Sequence, residues 1–95
     1  MAERSFYVVA YDVVADSRRA RVARALEAIG DRVQGSVFEI YLTAAELEKL
    51  LKKVGKLLDE QEDSLRVYLL CGACRARVRA VGRRGVTPPP GLRIV

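Results

Sequence analysis

Histidine is absent from the sequence, which excludes mechanisms that need an imidazole base or an imidazole metal ligand. The chain has only two cysteines, too few for a disulfide framework, and this predicts a reducing compartment. No apolar run approaches the length that spans a bilayer, and no signal-peptide pattern opens the chain. We therefore expect a cytoplasmic protein with no membrane partner.

Acidic residues are missing from the last third of the chain. Residues 64–95 carry seven Arg and no Asp or Glu, whereas residues 1–42 carry six Arg against six acids. Arg also outnumbers Lys, and its planar guanidinium group suits bidentate contacts with phosphates. The distribution indicates a nucleic-acid partner. The alternative is a basic surface that serves only solubility or stability at high temperature.

Residues 6–12, Phe-Tyr-Val-Val-Ala-Tyr-Asp, form an apolar segment that ends in a carboxylate. In a strand, Phe6 and Asp12 share one face while Tyr7 and Tyr11 share the other. Because both faces are apolar, we expect a strand in the middle of a sheet that is covered on both sides. Asp12 then ends a strand beside the core, where it needs a hydrogen bond, an ion pair or a cation. The alternative is an Asp that begins the turn into the next helix.

Periodicity predicts two helices and three further strands after this segment. The first helix is expected to be capped by Asp16 or Ser17 and closed by Gly30, and the second follows a Thr-Ala-Ala-Glu capping box at residues 43–46. Strands are expected within residues 32–42, on either side of a Gly-Ser turn, and over residues 65–71. The order βαββαβ predicts an α+β, ferredoxin-like sandwich with both helices on one face of a four-stranded antiparallel sheet. We expect the acidic residues 59–63 to form an exposed loop.

The helix-free face of that sheet needs a cover, because the strands are apolar on both sides. A second copy of the chain, bound through a two-fold interface, is the expected cover. The competing interpretation is an RNA-binding module in which Tyr7, Tyr11 and Phe38 stack on bases. The aromatic and basic motif of RNA-recognition domains is absent from the third strand, which makes this module the weaker alternative.

The segment after the last strand contains Cys71 and Cys74, spaced as in half a zinc site or a redox pair. Zinc needs four ligands, so the sequence favours two cysteines packed as small hydrophobic residues. Arg75, Arg77 and Arg79 then alternate with small apolar residues, which predicts a short strand with one basic face.

The domain is expected to span residues 1–82, with an extended tail at residues 83–95. Three prolines at residues 88–90 predict a stiff connector. Residues 92–95 are apolar enough to add a strand, paired with the partner protomer. The alternative is a frayed terminus.

Three arginines of the first helix, Arg18, Arg21 and Arg24, recur every three residues. They therefore lie roughly on one side of the helix and form a candidate phosphate-facing stripe. The alternative is an ordinary solvated helix face.

Several strings together resemble the CRISPR-associated adaptation protein family Cas2, from about residue 6 to residue 71. They are Tyr-Val-Val-Ala-Tyr-Asp-Val at residues 7–13, Arg-x-Arg-Val at residues 19–22, Val-Gln-x-Ser-Val-Phe-Glu at residues 33–39, and Leu-Thr at residues 42–43. Gly35 departs from the pattern, because the family often has a larger residue there.

The resemblance implies a ferredoxin-like homodimer that acts in spacer acquisition with the family's integrase partner, Cas1, and binds duplex DNA or RNA. Some members are described as magnesium-dependent endonucleases and others as non-catalytic scaffolds, and both functions stay open. In the catalytic case, Asp12 from both protomers would hold one Mg²⁺, or alternatively Mn²⁺, for phosphodiester hydrolysis.

The candidate site residues follow from the resemblance and from the charge pattern. Asp12 is the candidate catalytic and metal-binding residue, and Tyr11 and Phe38 are supporting residues. The candidate nucleic-acid contacts are Arg18, Arg19, Arg21, Arg32, Arg75, Arg77 and Arg79. For Arg19, Arg21 and Arg32, salt bridging or contact with the duplex backbone is favoured over direct catalysis. For Phe38, packing within the sheet is favoured.

Overall fold

Four strands and three helices form in residues 3–82, the part of the chain that the computed structural model describes. The strands are β1 (Ser5–Asp12), β2 (Asp31–Gln34), β3 (Val37–Leu42) and β4 (Ser64–Leu70), and the helices are α1 (Asp16–Glu27), α2 (Ala44–Gly55) and α3 (Gly72–Arg75). The predicted tail at residues 83–95, with its connector and last strand, lies outside the described residues.

The strands form one antiparallel sheet in the order β2-β3-β1-β4. β1 is central, with Tyr7 opposite Ile40 on one side and opposite Leu69 on the other. The predicted short strand, tight turn and longer strand are all present as β2, residues 35–36 and β3. The β2–β3 pairing shifts register between Arg32 and Gln34, which is an irregularity of the β-bulge type. This topology confirms the α+β, ferredoxin-like fold class.

The core lies between the two long helices and one face of the sheet. Alternate residues of β1 and β3 meet apolar residues of α1 and α2 there. The cluster comprises Tyr7, Val9, Tyr11, Val13, Val22, Ala25, Leu26, Phe38, Ile40, Leu42, Leu50 and Val54. Since Tyr7, Tyr11 and Phe38 are buried on the helix-covered face, the idea that they stack on bases at an open sheet is wrong.

The helix-free face is closed at one end by the chain itself. Phe6 is 3% exposed, although it points away from the helices. Its ring lies 5.0 Å from that of Tyr41, and the Arg75 guanidinium carbon lies 5.8 Å and 5.5 Å from the two ring centroids. Arg75 also donates a hydrogen bond to the Tyr41 hydroxyl. The two aromatic rings are therefore covered by a cation–π contact from the segment after β4.

This contact explains why the predicted basic strand at residues 75–80 is wrong. The segment begins with the single helical turn α3, in which the Arg75 amide donates to the Cys71 carbonyl at 2.9 Å, and residues 78–80 form no strand. Docking Arg75 onto the sheet face requires the chain to turn over the sheet. The alternation of arginines with small residues is a local pattern, and it does not predict that tertiary contact.

The two long helices begin differently. α2 has the predicted capping box: the Glu46 amide donates to the Thr43 hydroxyl at 3.1 Å, and the Thr43 amide donates to the Glu46 carboxylate at 2.8 Å. In α1 the N-cap is Ala15, with no side-chain cap, so the predicted cap at Asp16 or Ser17 is wrong. Asp16 lies in the first turn, where it pairs with an arginine of the same helix.

The connection from α1 to β2 requires a glycine. α1 ends at Glu27, and the Gly30 amide donates to the Leu26 carbonyl at 2.9 Å, which closes the helix as predicted. A Cβ atom on Gly30 would lie 2.3 Å from Cγ1 of Ile40. The backbone can approach β3 this closely only because Gly30 has no side chain.

In the sequence, the capping box of α2 is followed by an apolar stripe that comprises Leu47, Leu50, Leu51, Val54, Leu57 and Leu58. α2 ends at Gly55, before the end of this stripe. Leu57 and Leu58 lie beyond the helix but still pack against the core. Within residues 3–82, no helix has the length and apolar composition needed to cross a bilayer.

Candidate functional site

Asp12 lies at the last position of β1, as predicted, opposite Ser64 of β4. Its side chain is exposed, so the expectation that the fold itself requires a partner for this carboxylate is wrong. The neighbouring Tyr11 fixes the β2–β3 turn beside it, since its amide donates to the Ser36 carbonyl at 3.0 Å and its hydroxyl donates to the Gly35 carbonyl at 3.1 Å. A shallow pocket at this place is lined by Tyr11, Asp12, Val13, Arg19, Gly35 and Ser36. The Asp12 carboxylate is therefore accessible from solvent and flanked by two loops.

Arg19 holds the loop that follows Asp12. Its guanidinium donates to the carbonyls of Val13 and Val14 at 3.1 Å and 3.0 Å, and to the Asp16 carboxylate at 2.6 Å. Two of these contacts lie in the β1–α1 connection, and the third is with the first residue of α1. The favoured salt-bridge interpretation of Arg19 agrees with this geometry, in which Arg19 positions the backbone next to Asp12.

Asp63 is the residue of this region that the sequence did not reveal. Its side chain has no exposed surface, and it accepts hydrogen bonds from Arg18 Nε at 2.7 Å, from the Val14 amide at 2.9 Å and from the Asp59 amide at 2.9 Å. The Arg18 guanidinium, helped by the two amides, holds the pKa of the Asp63 carboxyl well below its usual range. The prediction that residues 59–63 form an exposed loop is therefore wrong at Asp63.

Arg18 forms ion pairs with two carboxylates. Besides Asp63 it donates to Glu62 at 3.1 Å, and the hydrogen bond to Asp63 is the first cause of a raised Arg18 pKa. Within the described residues, Arg21 and Arg24 of the same helix are exposed and form no ion pair. Of the predicted stripe, these two side chains keep an uncompensated charge.

The two supporting residues, Tyr11 and Phe38, meet the predicted nucleic-acid contact Arg32 at the pairing of β1 with β3. The Tyr11 and Phe38 rings are stacked with centroids 6.2 Å apart, and the Arg32 guanidinium carbon lies 5.3 Å from the Phe38 centroid. Arg32 also approaches Glu27 at 3.6 Å. Tyr11 and Phe38 are buried, so they support the site by packing, in agreement with the favoured interpretation of Phe38.

The arginines after β4 lie away from those of α1. Arg75 packs beside Phe6 at the start of β1, whereas Arg19 contacts the loop just after its end. Six strand residues separate these places, which corresponds to about 20 Å. Arg77 and Arg79 are exposed beyond Arg75. The structure thus places Arg19 and Arg75, two of the predicted nucleic-acid contacts, at opposite ends of β1.

The residues present allow one carboxylate per chain to bind a metal ion. Residues 3–82 contain no group of three or more Asp, Glu, His or Cys side chains that could hold a metal. Mg²⁺ keeps several water ligands and binds through one or two carboxylates, so exposed Asp12 oxygens are suitable donors. The donor set fits magnesium if a second Asp12 is supplied by another copy of the chain.

Cys71 and Cys74 are both free and exposed. The expectation that they pack as small hydrophobic residues is wrong, because α3 forms on the surface directly after β4. The two cysteines therefore do not have the packing role that the sequence predicted for them.

The comparisons with known proteins agree with this fold. The model of the family described as CRISPR associated protein Cas2 matches residues 5–78. A Synechocystis protein named CRISPR-associated endoribonuclease Cas2 3 is 44% identical over 89 residues, which cover 94% of this chain and 97% of that protein. A Thermus thermophilus protein named CRISPR-associated endonuclease Cas2 2 is 41% identical over 92 residues, covering 97% and 94%.

Solved structures are similar along most of the described chain. Cas2 of Streptococcus pyogenes has a TM-score of 0.72 at 35% identity and covers 81% of this chain and 99% of its own. A chain of a partial Cas6-RT-Cas1–Cas2 complex has a TM-score of 0.69 at 30% identity and covers 81% and 90%. Since the family model spans most of the sequence and these relatives align along almost their full length, the chain belongs to the CRISPR-associated Cas2 family.

Proposed function

We propose that the protein is a homodimer that binds duplex nucleic acid in CRISPR spacer acquisition, together with an integrase partner of the Cas1 type. The observation that carries duplex binding is the pair of exposed arginines on α1, Arg21 and Arg24, which form no ion pair within residues 3–82. Such guanidinium groups suit contacts with phosphate oxygens, which are the same along any duplex. Little sequence preference is therefore expected.

The helix-free sheet face supports the two-fold dimer. Phe6 is already covered by Arg75, but Val8 and Ala10 of β1 continue along this face towards Asp12. Tyr68 of β4 is paired with Val8 and is 49% exposed. A second copy that packs on this strip would remove apolar surface from water and bring the two strand ends that carry Asp12 towards each other.

The integrase partner is supported by similarity. One solved relative, at 30% identity, belongs to a complex whose name includes Cas1 and Cas2. By extension, we propose that this dimer binds its integrase while the α1 arginines hold the duplex.

Salt dependence tests the duplex contact. Arg21→Gln and Arg24→Gln should each weaken binding, and each should reduce the slope of log affinity against log salt by about one, because each removes one phosphate contact. Fluorescence anisotropy with two unrelated duplexes across a salt series measures both effects.

Arg4→Gln is the matched control for this experiment. It makes the same charge change, but Arg4 pairs with Glu46 at 3.3 Å. Its slope should equal that of the wild type. An affinity that does not respond to salt, or an Arg4→Gln effect as large as that of the α1 variants, contradicts the proposal.

A second candidate function is that of a metal-dependent endonuclease, favoured by the exposed carboxylate of Asp12 and by relatives named endoribonuclease and endonuclease. In this proposal the two Asp12 carboxylates of the dimer hold one Mg²⁺ or Mn²⁺. A bound ion would supply charge stabilisation for phosphodiester hydrolysis. Arg19 keeps the loop after Asp12 in place, and the α1 arginines bind the backbone of RNA or DNA.

Asp12→Asn tests this function with two readouts. Cleavage of RNA and duplex DNA should be lost, and so should the binding of Mn²⁺ measured by calorimetry, because an amide is a much poorer ligand for a hard cation. Dimerisation and duplex binding should persist.

Glu48→Gln, an exposed acid of α2, is the control and should keep both cleavage and Mn²⁺ binding. Cleavage by the Asp12→Asn variant, or by the wild type in excess chelator, would assign the activity elsewhere. If Asp12→Asn loses Mn²⁺ binding but the wild type cleaves neither RNA nor DNA, then Asp12 binds a metal ion in a scaffold that is not a nuclease.

A further inference from the structure

Two exposed thiols lie on one turn of the chain, directly after the last strand. Cys71 precedes α3 and Cys74 lies within it. The turn is closed by the Arg75 amide, which donates to the Cys71 carbonyl at 2.9 Å, and by the Ala76 amide, which donates to the Gly72 carbonyl at 3.0 Å. Within a helix, residues three apart are neighbours with Cβ atoms about 5–6 Å apart, and Cys71, as the N-cap of this turn, lies next to Cys74 in a similar way.

The two sulfur atoms interact unequally. The Cys71 sulfur accepts hydrogen bonds from the Cys74 amide and the Cys74 thiol, and these contacts lower the pKa of Cys71. The same thiol–thiol hydrogen bond raises the pKa of Cys74. No acidic residue occurs in residues 64–95, so no neighbour along this segment opposes a negative charge on Cys71. The arrangement pairs a more acidic sulfur with a less acidic one.

We propose that Cys71 and Cys74 form a redox-active dithiol that exchanges with small aliphatic disulfides and closes an intramolecular disulfide bond. Both cysteines are exposed, and neither belongs to the core. A disulfide needs Cβ atoms about 3.8 Å apart, so closure requires only a modest tightening of the turn.

The exchange takes place in two steps. The Cys71 thiolate attacks one sulfur of the aliphatic disulfide, which forms a mixed disulfide and releases one small thiolate. Cys74 then loses its proton to water and attacks the Cys71 sulfur, which releases the second small thiolate. Both released thiolates take up protons. Overall, two protein thiols lose two electrons, and the small disulfide gains them and becomes two thiols.

Formation of the Cys71–Cys74 disulfide would also affect the contact between the neighbouring Arg75 and the aromatic rings on the helix-free face of the sheet. Arg75 belongs to the same turn and packs over Phe6 and Tyr41. The disulfide therefore restrains the segment that closes one end of the helix-free face. The inference concerns sulfur chemistry alone and holds whether or not the protein cleaves nucleic acid.

Intact-mass spectrometry of the full chain tests the proposal with oxidised glutathione as the probe. The reduced wild type should lose two hydrogen atoms and retain no glutathionyl group. Cys74→Ser should accumulate one glutathionyl group, because Cys71 then lacks a partner to resolve the mixed disulfide. Cys71→Ser should react about tenfold more slowly, since its remaining thiol is the less acidic one.

The wild-type result needs no variant, so the test does not depend on how the serine variants fold. An unreactive wild type, or one that keeps stable glutathionyl groups, overturns the proposal. Equal reaction rates of the two serine variants, with wild-type circular dichroism, overturn the assignment of Cys71 as the attacking sulfur.

Discussion

At the scale of single residues, the Asp63 carboxylate joins three parts of the chain near the strand end that carries Asp12. It binds the β1–α1 loop through the Val14 amide, α1 through Arg18, and its own loop through the Asp59 amide. Removing the carboxylate charge would leave Arg18 with only the exposed Glu62. The partly buried Arg18 guanidinium would then lack its buried partner, which is costly. Asp63 should therefore contribute more to stability than the neighbouring acidic residues.

We predict that Asp63→Asn lowers the melting temperature at neutral pH and that the difference from the wild type narrows in acid. The folded-state pKa of Asp63 is lowered, so its stabilising contribution is complete above the unfolded-state pKa of about 4 and decreases as the pH falls below it. Thermal melts between pH 7 and pH 3 measure this change.

Glu62→Gln is the control for Asp63→Asn. It removes an exposed ion pair with the same arginine and should change the melting temperature little. A difference between Asp63→Asn and the wild type that stays constant with pH, or a Glu62→Gln effect of equal size, would contradict the prediction.

The sequence was sufficient to identify Asp12 as a candidate site residue, but it was not sufficient to identify Asp63 as a buried carboxylate. Asp12 ends an apolar run, so its neighbours in the chain already set it apart. Asp63 is one of several acids in a polar segment, and its partner Arg18 is 45 positions away. No local pattern distinguishes the acid that becomes buried from those that stay in solvent.

At the scale of elements, the connection between α1 and β2 sets a strict limit on residue size. We predict that Gly30→Ala destabilises the protein by about 1–3 kcal/mol, because its Cβ would lie 2.3 Å from Ile40 Cγ1 and 3.0 Å from the Glu39 carbonyl oxygen. Urea denaturation followed by circular dichroism gives the free energy of unfolding.

Gly55→Ala is the matched control. Gly55 ends α2 and has no atom within 4 Å of an added Cβ, so alanine should stabilise the protein by up to about 1 kcal/mol. If both substitutions change the free energy of unfolding in the same direction and by the same amount, the close approach at Ile40 does not govern the effect.

The order of the strands and long helices could be predicted because each has its own period of apolar residues. α2 is an example, with its capping box and apolar stripe both visible in the sequence. α3 could not be predicted, because Arg75 is placed by a contact with Phe6 and Tyr41, far earlier in the chain. A local pattern of alternating arginines fits a strand equally well.

At the scale of the whole molecule, the uncovered strip of the sheet predicts the state of association. We predict that Tyr68→Arg shifts the protein from dimer to monomer at micromolar concentration, because it places a charge in the middle of the proposed interface. Sedimentation velocity across a dilution series measures the shift.

Leu69→Arg is the control on the same strand. Leu69 is 61% exposed but pairs with Tyr7, so it belongs to the opposite face of the sheet. This variant should remain a dimer. A wild type that sediments as a folded monomer at micromolar concentration would refute the two-fold interface.

The cover formed by Arg75 also bears on the order of events during assembly. One end of the helix-free face is completed within a single chain, so on this face a newly made protomer leaves the strip of Val8, Ala10 and Tyr68 without a cover. We therefore expect such a protomer to reach its native state before it meets a second copy, unlike obligate dimers that have no stable folded monomer. Pairing would then be an encounter between two finished molecules, and its half-time would shorten as the cell makes more of the protein.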